Sequence, residues 1–313
     1  MRVFVTGGSG FVGRNLIAYL LERGHQVVAL ARSDAAAAAV TASGAEVARG
    51  DLSDVDALRQ GMQGCDWIAH SAAFVADWGG WEDAYQVNVI GTQNVLDAAG
   101  ERRVVHVSTE AVLCGENPII DVDETAPRAK FPAGVYPKSK GMAEERVEAA
   151  KQVIVRPRFI WGRGDTSVLP QLLEAVNDGV LRWADGGHYR SSTCHVTNVC
   201  EGILCAAERG EPGGIYFLTD GDPVDLRDFL TAMFETQGVD APTGTIPRWL
   251  MSAAAGVCEV GWTWLPLPGR PPLTRMAVKL FMTPVTVDDS RARREIGYVG
   301  NVSIDAGLLE MGA

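Results

Sequence analysis

The sequence predicts an α/β protein in which a doubly wound parallel sheet, covered by helices on both faces, is followed by a smaller C-terminal α/β domain. Three observations lead to this fold class. Short runs rich in β-branched residues alternate with helical patterns through the first half of the 313-residue chain. The runs are apolar at consecutive positions, as in strands that are buried on both faces. A glycine-rich turn, TGGSGFVG, connects the first run to the first helical pattern.

The individual elements follow from these patterns. Six apolar runs predict strands at residues 2–6, 26–30, 45–48, 66–69, 103–107 and 152–156. Helical spacing predicts helices at residues 11–23, 35–43, 81–99 and 136–150, and a shorter helix from 53 to about 62. Ser53 is the expected N-cap of the shorter helix, because a serine hydroxyl accepts a hydrogen bond from the free N–H groups of a first turn.

Charge and composition argue against several classes of function. The net charge of −11 disfavours nucleic-acid binding, because a phosphate backbone would be repelled. The six cysteines form no CxxC pair, so no metal site is predicted. The N-terminus lacks a signal-peptide pattern, and no run of about 18 apolar residues predicts a membrane-spanning helix. A cytoplasmic protein is therefore expected.

The glycine-rich turn predicts a nucleotide site. Its glycines include a set spaced three apart, and those at 8, 10 and 13 also fit the pattern GxGxxG. Such glycines let the backbone approach a pyrophosphate, and the N-terminus of the following helix adds partial positive charge. Because the turn lies between a first strand and a first helix, it predicts a Rossmann-type dinucleotide-binding domain. The expected cofactor contacts in this turn are Gly7, Gly10, Phe11, Val12 and Gly13.

The end of the second strand favours NADP over NAD. An acidic residue there would bind the ribose hydroxyls, whereas an arginine accommodates the additional phosphate of NADP. The chain has Arg32 after Ala31, although Asp34 could still reach a ribose. NADP is therefore the expected cofactor and NAD the alternative. Further contacts are expected at the carboxyl ends of later strands, where such sheets bind ligands, at Asp51, Leu52, Ser71, Ala72 and Ala73.

A tyrosine and a lysine form the predicted chemical site. In the segment YPKSK, Tyr136 and Lys140 are four residues apart, so they lie on one face of a helix. A phenol has a pKa of about 10, and a nearby ammonium group and a positively charged nicotinamide would lower it. Tyr136 could then exchange a proton with a substrate oxygen while a hydride moves to or from the nicotinamide. Lys140 would also hold the nicotinamide ribose.

In order along the chain, these motifs resemble the extended branch of the short-chain dehydrogenase/reductase superfamily. The matching segments are TGGSGFVG, GDL at 50–52, HSAA at 70–73, VNVIGTQNVL at 87–96 and YPKSK. Three others resemble its 3β-hydroxysteroid dehydrogenase-like and sterol dehydrogenase-like group: RPRFIWGRGD at 156–165, HVTNV at 195–199 and DDSRARREIGY at 288–298. The resemblance implies an NAD(P)-dependent oxidoreductase in which Asn88 supports the active-site helix and Pro157 contacts the cofactor.

One segment departs from the pattern of this branch. The branch usually places a catalytic serine or threonine five residues before a glycine, and in VSTEAVLCG that position is Glu110. A carboxylate donates no hydrogen bond unless it is protonated. Thr109 is the first candidate for the catalytic hydroxyl, Glu110 follows as an acid–base or substrate-binding group, and Ser108 is third. In a fourth interpretation all three are ordinary strand-end residues, and Tyr136 and Lys140 suffice.

Residues 1–165 are predicted to form the dinucleotide-binding domain and 166–313 the substrate-binding domain, with 194–222 returning to the first. An aromatic lining would suit a hydrophobic substrate such as a sterol, terpenoid or polyketide. The apolar stretch 246–268 could be a lid, a dimer face or a membrane-surface patch. The tryptophans that suggest such a lining are Trp78, Trp81, Trp161, Trp183, Trp249, Trp262 and Trp264.

Two other functions stay open from the sequence. Sugar-nucleotide epimerases and dehydratases of the same branch need cations for a diphosphate; Arg190 is a candidate, but Ser191 stands where an arginine is usual. Non-catalytic NADP-binding sensors typically lack the tyrosine–lysine pair, which is present here. The favoured function is interconversion of a secondary alcohol and a ketone on a hydrophobic small molecule, with a homodimer as a further expectation.

Overall fold

The computed structural model describes residues 1–75, 78–265, 267 and 269–312. Its strands are β1 (Arg2–Thr6), β2 (Gln26–Ala31), β3 (Glu46–Arg49), β4 (Trp67–His70), β5 (Arg103–Val107), β6 (Ile119–Val122), β7 (Val153–Pro157), β8 (Ile160–Trp161), β9 (Trp183–Ala184), β10 (Arg190–Ser191), β11 (Cys194–His195), β12 (Ile215–Leu218), β13 (Val224–Asp225), β14 (Thr245–Ile246) and β15 (Val285–Val287).

Helices separate most of these strands. They are α1 (Phe11–Glu22), α2 (Asp34–Ala42), α3 (Val55–Gly61), α4 (Trp81–Ala84), α5 (Gly91–Ala99), α6 (Val135–Ala149), α7 (Leu169–Asn177), α8 (Val196–Arg209), α9 (Leu226–Thr236), α10 (Arg248–Trp264), α11 (Arg275–Phe281) and α12 (Ile304–Met311). A π-helical segment, Tyr85–Ile90, joins α4 to α5, a 3-10 helix, Glu110–Leu113, follows β5, and a second π-helical segment, Ala292–Ile296, follows β15.

Seven parallel strands form the central sheet, in the order β12-β7-β5-β4-β1-β2-β3. The strand order reverses at β1, which pairs with β2 on one side and with β4 on the other. Open α/β sheets bind ligands in the crevice outside the carboxyl ends of the strands at such a reversal. The predicted parallel, doubly wound sheet is confirmed.

The central sheet is buried on both faces, which explains the uninterrupted apolar runs. Val3 and Val5 point to one side, into a cluster that includes residues of α1 and α8. Phe4 points to the other, into a cluster with residues of α3, α5 and α6. Because successive side chains of a strand alternate between faces, a strand with a core on each side needs apolar residues throughout.

A second sheet has the order β13-β10-β15-β6. Its edge strand β6 comes from the first half of the chain, between β5 and α6, and pairs in parallel with β15. Conversely, β12 comes from the second half of the chain and pairs in parallel with β7 at the edge of the central sheet. Two crossings of the chain therefore connect the two sheets.

Two predicted details differ from the structure. Asp54, not Ser53, is the N-cap of α3: its side chain accepts a hydrogen bond of 3.0 Å from the N–H of Ala57. Ser53 is occupied elsewhere, because its N–H and its hydroxyl both donate to Asp51 at 3.1 Å. The helix predicted at 81–99 contains a π-helical segment in its middle, which a periodicity of 3.6 residues does not reveal.

The tryptophans of the second half lie in two different environments. Trp161 and Trp183 are buried core residues; Nε1 of Trp161 donates to Asp220 at 2.7 Å. Trp249 and Trp264, at the two ends of α10, are 71% and 81% exposed. Pro266 and Pro268 of the stretch 246–268 lie outside the described residues. Within the described residues, no helix is both long enough and apolar enough to cross a bilayer.

Candidate active site

The turn between β1 and α1 leaves room for a closely approaching ligand. Gly7 has a φ of +74°, which favours glycine. A Cβ atom at Gly13 would lie 2.1 Å from the carbonyl oxygen of Gly7, so a larger residue does not fit there. In the described part of the chain, no side chain caps the N-terminus of α1, and its first turn carries no acidic residue. Free N–H groups and the positive end of the helix dipole therefore suit a phosphate group at this turn.

The segment after β4 forms the opposite wall of this crevice. The Ser71 hydroxyl donates to the carbonyl oxygen of Thr6 at 2.7 Å, and the N–H of Ala72 donates to the Thr6 hydroxyl at 3.2 Å. A Cβ atom at Gly7 would lie 2.7 Å from the nitrogen of Ala72. The predicted contacts in the glycine turn and those at Ser71, Ala72 and Ala73 therefore line one crevice.

Cationic side chains lie where the adenosine end of a dinucleotide is expected. Arg32 is exposed directly after the buried Ala31, and Arg49 is paired in register with Ala31 on the neighbouring strand. The carboxylate of Asp34 forms an ion pair with Arg49. The acidic group that could have favoured NAD therefore already has a cationic partner.

The other predicted cofactor contacts lie at the ends of β3 and β7. Asp51 and Leu52 follow β3; Leu52 is buried, and its carbonyl oxygen accepts a hydrogen bond of 2.8 Å from Asn94 of α5. Pro157 is the last residue of β7 and is buried. All of them lie at the carboxyl-terminal edge of the sheet.

One face of α6 carries the predicted chemical groups. Tyr136, Lys140 and Glu144 follow one another at intervals of four residues, so they lie along one side of the helix. Glu144 is fully buried and forms a two-pronged ion pair with Arg156 of β7, with N–O distances of 2.8 and 2.6 Å. This pair fastens α6 to the central sheet and so fixes the position of Tyr136 and Lys140.

Asn88 of the first π-helical segment supports the same helix. Its side chain donates to the hydroxyl of Ser139 at 2.9 Å, and that hydroxyl donates to the carbonyl oxygen of Tyr136 at 3.1 Å. The Asn88 side chain also accepts a hydrogen bond of 2.7 Å from the N–H of Phe74 and donates one of 2.9 Å to the carbonyl oxygen of Phe74. Asn88 thereby links the loop after β4 to the start of α6.

Lys140 points into the protein toward two histidines. Its Nζ lies 2.9 Å from Nε2 of His106 and donates to the carbonyl oxygen of Val107 at 2.8 Å. Burial lowers the pKa of Lys140 to about 7, although the nearby Glu144 acts in the opposite direction. Burial and the Lys140 charge hold the pKa of His106 well below its usual value.

The neighbouring His70 belongs to a fully bonded chain. The Thr92 hydroxyl donates to the carbonyl oxygen of Asn88 at 2.6 Å, so it can only accept from Nε2 of His70, 2.9 Å away. Nδ1 of His70 then accepts from the Thr6 hydroxyl at 2.7 Å. Burial and Lys140 lower the pKa of His70 to about 3, which keeps the ring neutral.

The segment VSTEAV places its three polar side chains in different roles. Glu110 is 3% exposed; its Oε2 accepts from the Thr109 hydroxyl at 2.8 Å, and its Oε1 lies 3.2 Å from Nη1 of Arg158. Arg158 also donates to the carbonyl oxygen of Leu280 at 2.6 Å. The Ser108 hydroxyl is buried and, among the residues described, has no hydrogen-bond partner. Thr109 and Glu110 therefore act as a bonded pair.

Tyr136 lies beside that pair, and in the chain without cofactor the charge that acts on its phenol is not the one expected from the sequence. A neighbouring ammonium was expected to lower the pKa of this phenol. Instead, burial and the Glu110 carboxylate raise the pKa of Tyr136, and only a hydrogen bond donated by the neighbouring Thr109 would lower it. The ammonium group of Lys140 has turned to His106 and Val107, so the nearest charge that acts on the phenol is negative.

Sequence reasoning missed Arg158, His106 and Glu144. A signal was present, because a charged or titratable residue inside an apolar strand pattern indicates a buried partner. His106 interrupts the run RVVHV, and Arg158 follows a buried strand by one residue. The identity of each partner is not readable from the sequence, since Glu110 and Arg158 are 48 positions apart.

The nucleotide crevice at β1 and the tyrosine–lysine helix beside β5 lie at the same edge of one parallel sheet, and this arrangement defines an NAD(P)-dependent oxidoreductase of the extended short-chain dehydrogenase/reductase class. Comparison with known sequences gives the family. The chain belongs to the 3-beta hydroxysteroid dehydrogenase/isomerase family, whose sequence profile matches residues 4–248.

Individual relatives agree with this family. The chain is 49% identical to a 4-hydroxy-2-methyl-3-oxo-4-farnesyl-3,4-dihydroquinoline-1-oxide ketoreductase of Stigmatella aurantiaca, over 98% of this chain and 95% of that protein. It is 35% identical to a 2-alkyl-3-oxoalkanoate reductase of Stenotrophomonas maltophilia, over 100% and 99% of the two chains. Among solved structures, that of gox2253 has a TM-score of 0.78 at 27% identity, covering 98% of this chain and 97% of the other.

Proposed function

We propose that the protein interconverts a ketone and a secondary alcohol on a hydrophobic small molecule, with NADP as the cofactor and Tyr136 as the group that transfers the proton. The observation that carries this proposal is the position of Tyr136 and Lys140 on α6, at the same sheet edge as the glycine crevice. When bound, the nicotinamide supplies or accepts the hydride. Tyr136 gives a proton to the substrate oxygen or takes one from it.

The surroundings of Tyr136 support an apolar substrate. The side chain of Tyr136 packs against a cluster of buried apolar residues from the 3-10 helix, β6, α11 and β15. The two relatives described above are named for ketones that carry a farnesyl or an alkyl chain. Both observations favour a substrate with a hydrocarbon chain or ring system.

The cations of the second half give less support to a sugar-nucleotide substrate. A diphosphate would need cations with free donors. Arg190 donates to the carbonyl oxygen of Pro223 at 3.1 Å, Lys279 donates to that of Gly115 at 2.5 Å, and Arg158 is engaged with Glu110. All three therefore already have partners within the chain.

A turnover assay with a matched variant tests the proposal. The full-length protein is incubated with NADPH and a panel of ketones of increasing hydrocarbon content. Turnover is expected to rise with hydrocarbon content, and Tyr136→Phe is expected to reduce kcat by about 100-fold or more while still binding NADPH. Wild-type turnover that survives in Tyr136→Phe would show that another group transfers the proton.

The hydroxyl candidates require separate variants. Thr109 is the proposed contact of Tyr136, with Ser108 and Glu110 as the alternatives from the sequence. Thr109→Ala and Ser108→Ala are compared under the same conditions. A larger loss of kcat in Thr109→Ala supports the assignment, and a larger loss in Ser108→Ala moves the role to the buried Ser108 hydroxyl.

The preference for NADP rests on Arg32 and on the engagement of Asp34 by Arg49. Arg32→Ala is expected to raise KM for NADPH about tenfold or more and to leave KM for NADH within about twofold, because the arginine would contact only the additional phosphate. Equal effects on both cofactors would contradict the preference.

The exposed face of α10 supports a contact through residues 246–268, either with a second copy of the chain or with a membrane surface. Replacement of the exposed Trp249 and Trp264 by serine separates these possibilities. Loss of a dimer in analytical ultracentrifugation indicates the first contact, and loss of flotation with phospholipid vesicles indicates the second.

A further inference from the structure

The single proton of the Thr109 hydroxyl has a fixed destination. Glu110 forms an ion pair with Arg158, and because a carboxylate oxygen accepts hydrogen bonds, its Oε2 accepts the 2.8 Å hydrogen bond that the Thr109 hydroxyl donates. The Thr109 oxygen also accepts a hydrogen bond of 3.1 Å from the N–H of Ala111. In its contact with Tyr136, Thr109 therefore has a lone pair to offer and no proton.

A hydroxyl that can only accept keeps its neighbour protonated. If the residue at 110 were neutral and small, Thr109 could turn its proton toward Tyr136 and stabilise a phenolate. With Glu110 present, Tyr136 must itself donate to Thr109, and the carboxylate adds a negative charge close to the phenol. We propose that Glu110 makes Tyr136 a proton donor, so that this site favours ketone reduction over alcohol oxidation; this rests on the proposed function of Tyr136.

Ketone reduction is the favoured direction. The carbonyl carbon gains a hydride from the reduced cofactor, which is oxidised, and the π electron pair moves to the oxygen. That oxygen takes the proton of the Tyr136 hydroxyl, which leaves the alcohol product and a phenolate. The phenolate then regains a proton from water. Because Glu110 opposes the phenolate, the protonated form required for the next reduction is restored, whereas the phenolate required for alcohol oxidation is scarce at neutral pH.

Other charged groups are present on the elements packed against α6, but within the described chain they act less directly on the phenol. Lys140 is bonded to His106 and Val107, and Glu144 to Arg156. Arg158 holds Oε1 of Glu110, on the side away from the oxygen that Thr109 bonds. The titratable and charged groups on α6, on these elements and directly after them are Glu82, Asp83, Tyr85, Asp97, Arg103, His106, Glu110, Cys114, Lys138, Lys140, Glu144, Glu145, Arg146, Glu148, Arg156, Arg158, Arg275 and Lys279.

A direct titration of Tyr136 tests the proposal without turnover. The near-ultraviolet absorbance of phenolate is followed with pH in the full-length protein, and the signal of Tyr136→Phe is subtracted so that the other tyrosines cancel. Without cofactor, the midpoint for wild-type Tyr136 is expected above the ordinary value of 10. A wild-type midpoint below 10 overturns the proposal, and this measurement requires no variant at Glu110 to fold.

Two substitutions at Glu110 then identify the cause. Glu110→Gln removes the charge and is expected to lower the midpoint by about one pH unit or more, whereas Glu110→Asp keeps the charge and the midpoint stays near that of wild type. Bound NADP is expected to lower the Tyr136 midpoint in wild type and in Glu110→Gln, while the difference between these two proteins persists. Equal midpoints in wild type and Glu110→Gln, or an equal shift in both variants, contradict the role of the Glu110 charge.

Kinetics in both directions complete the test. In Glu110→Gln, the pH at which alcohol oxidation reaches half its maximal kcat/KM is expected to fall by about one unit, so that kcat/KM for oxidation at pH 7 rises by up to about tenfold. The proposed function and this inference fail separately. If no ketone is turned over, the function is wrong although the titration can still succeed; if ketones are reduced but the Tyr136 midpoint is low, only the inference is wrong.

Discussion

Nζ of Lys140 lies 2.9 Å from Nε2 of His106, and both side chains are buried at the carboxyl end of β5. Since an ammonium group has only protons to offer, Nε2 of His106 must accept and its own proton lies on Nδ1. A second Lys140 proton goes to the carbonyl oxygen of Val107 at 2.8 Å, which leaves one for a ligand. The histidine thus determines where the lysine points.

Replacement of His106 should therefore affect cofactor binding through Lys140. His106→Ala removes one of the two acceptors and is expected to weaken NADPH binding about tenfold, the usual effect of losing a hydrogen bond to a charged group. Fluorescence titration with NADPH measures the affinity of each variant. His106→Gln offers an amide oxygen near the position of Nε2 and is expected to recover most of the affinity. Equal weakening in both variants would indicate general damage to the core.

The depressed pKa of Lys140 should appear as a pH dependence of stability. The folded protein releases this proton at about pH 7, whereas the unfolded chain holds it up to 10.5. Between these values the unfolded state binds more protons, so stability rises with pH; below pH 7 both states are protonated and the penalty of the buried charge is complete. Between pH 7 and 9, wild type should gain about 2 kcal/mol relative to Lys140→Met in urea denaturation. A constant difference over this range would contradict the shift.

The glycine crevice predicts a clear loss of binding for Gly13→Ala. Its Cβ atom would meet the carbonyl oxygen of Gly7 at 2.1 Å, so the turn must open. NADPH affinity is expected to fall by about 100-fold or more, since several phosphate contacts are displaced together. Gly256→Ala in α10 is the control, because the added Cβ atom would meet only the end of a flexible arginine side chain, at 3.5 Å. The NADPH affinity of this variant should equal that of wild type. Normal NADPH binding by Gly13→Ala would place the phosphate site elsewhere.

The buried pair of Glu144 and Arg156 should dominate the stability of the active-site helix. Glu144→Gln leaves the guanidinium without its charged partner and is expected to cost about 3–5 kcal/mol of unfolding free energy. The exposed neighbour Glu145→Gln is expected to change it by less than about 0.5 kcal/mol. Urea denaturation compares the two. A cost below 1 kcal/mol for Glu144→Gln would contradict this role of the buried ion pair, which Arg128 also joins at 3.3 Å.

Local sequence patterns predicted much of the fold and part of the candidate site. The six predicted strands match the observed ones to within two residues, and the spacing of Tyr136 and Lys140 predicted their shared helix face. The partners of buried charges were beyond such patterns, because the pairing of Glu110 with Arg158 depends on how β5 and the segment after β7 meet in space. For the same reason the sequence did not show which charges act on Tyr136: it indicates that a lysine is near, but not that the ammonium group is bonded to His106.

The exchange of edge strands between the two sheets limits how this protein can be divided. A fragment that ends near residue 165 would keep β6 without β15 and would leave β7 as an edge lacking β12. Each half would then expose unpaired backbone groups along a strand, a surface that invites aggregation. We therefore expect a transplanted substrate-binding half to fold only if both crossing strands are transferred together with the strands that they pair with.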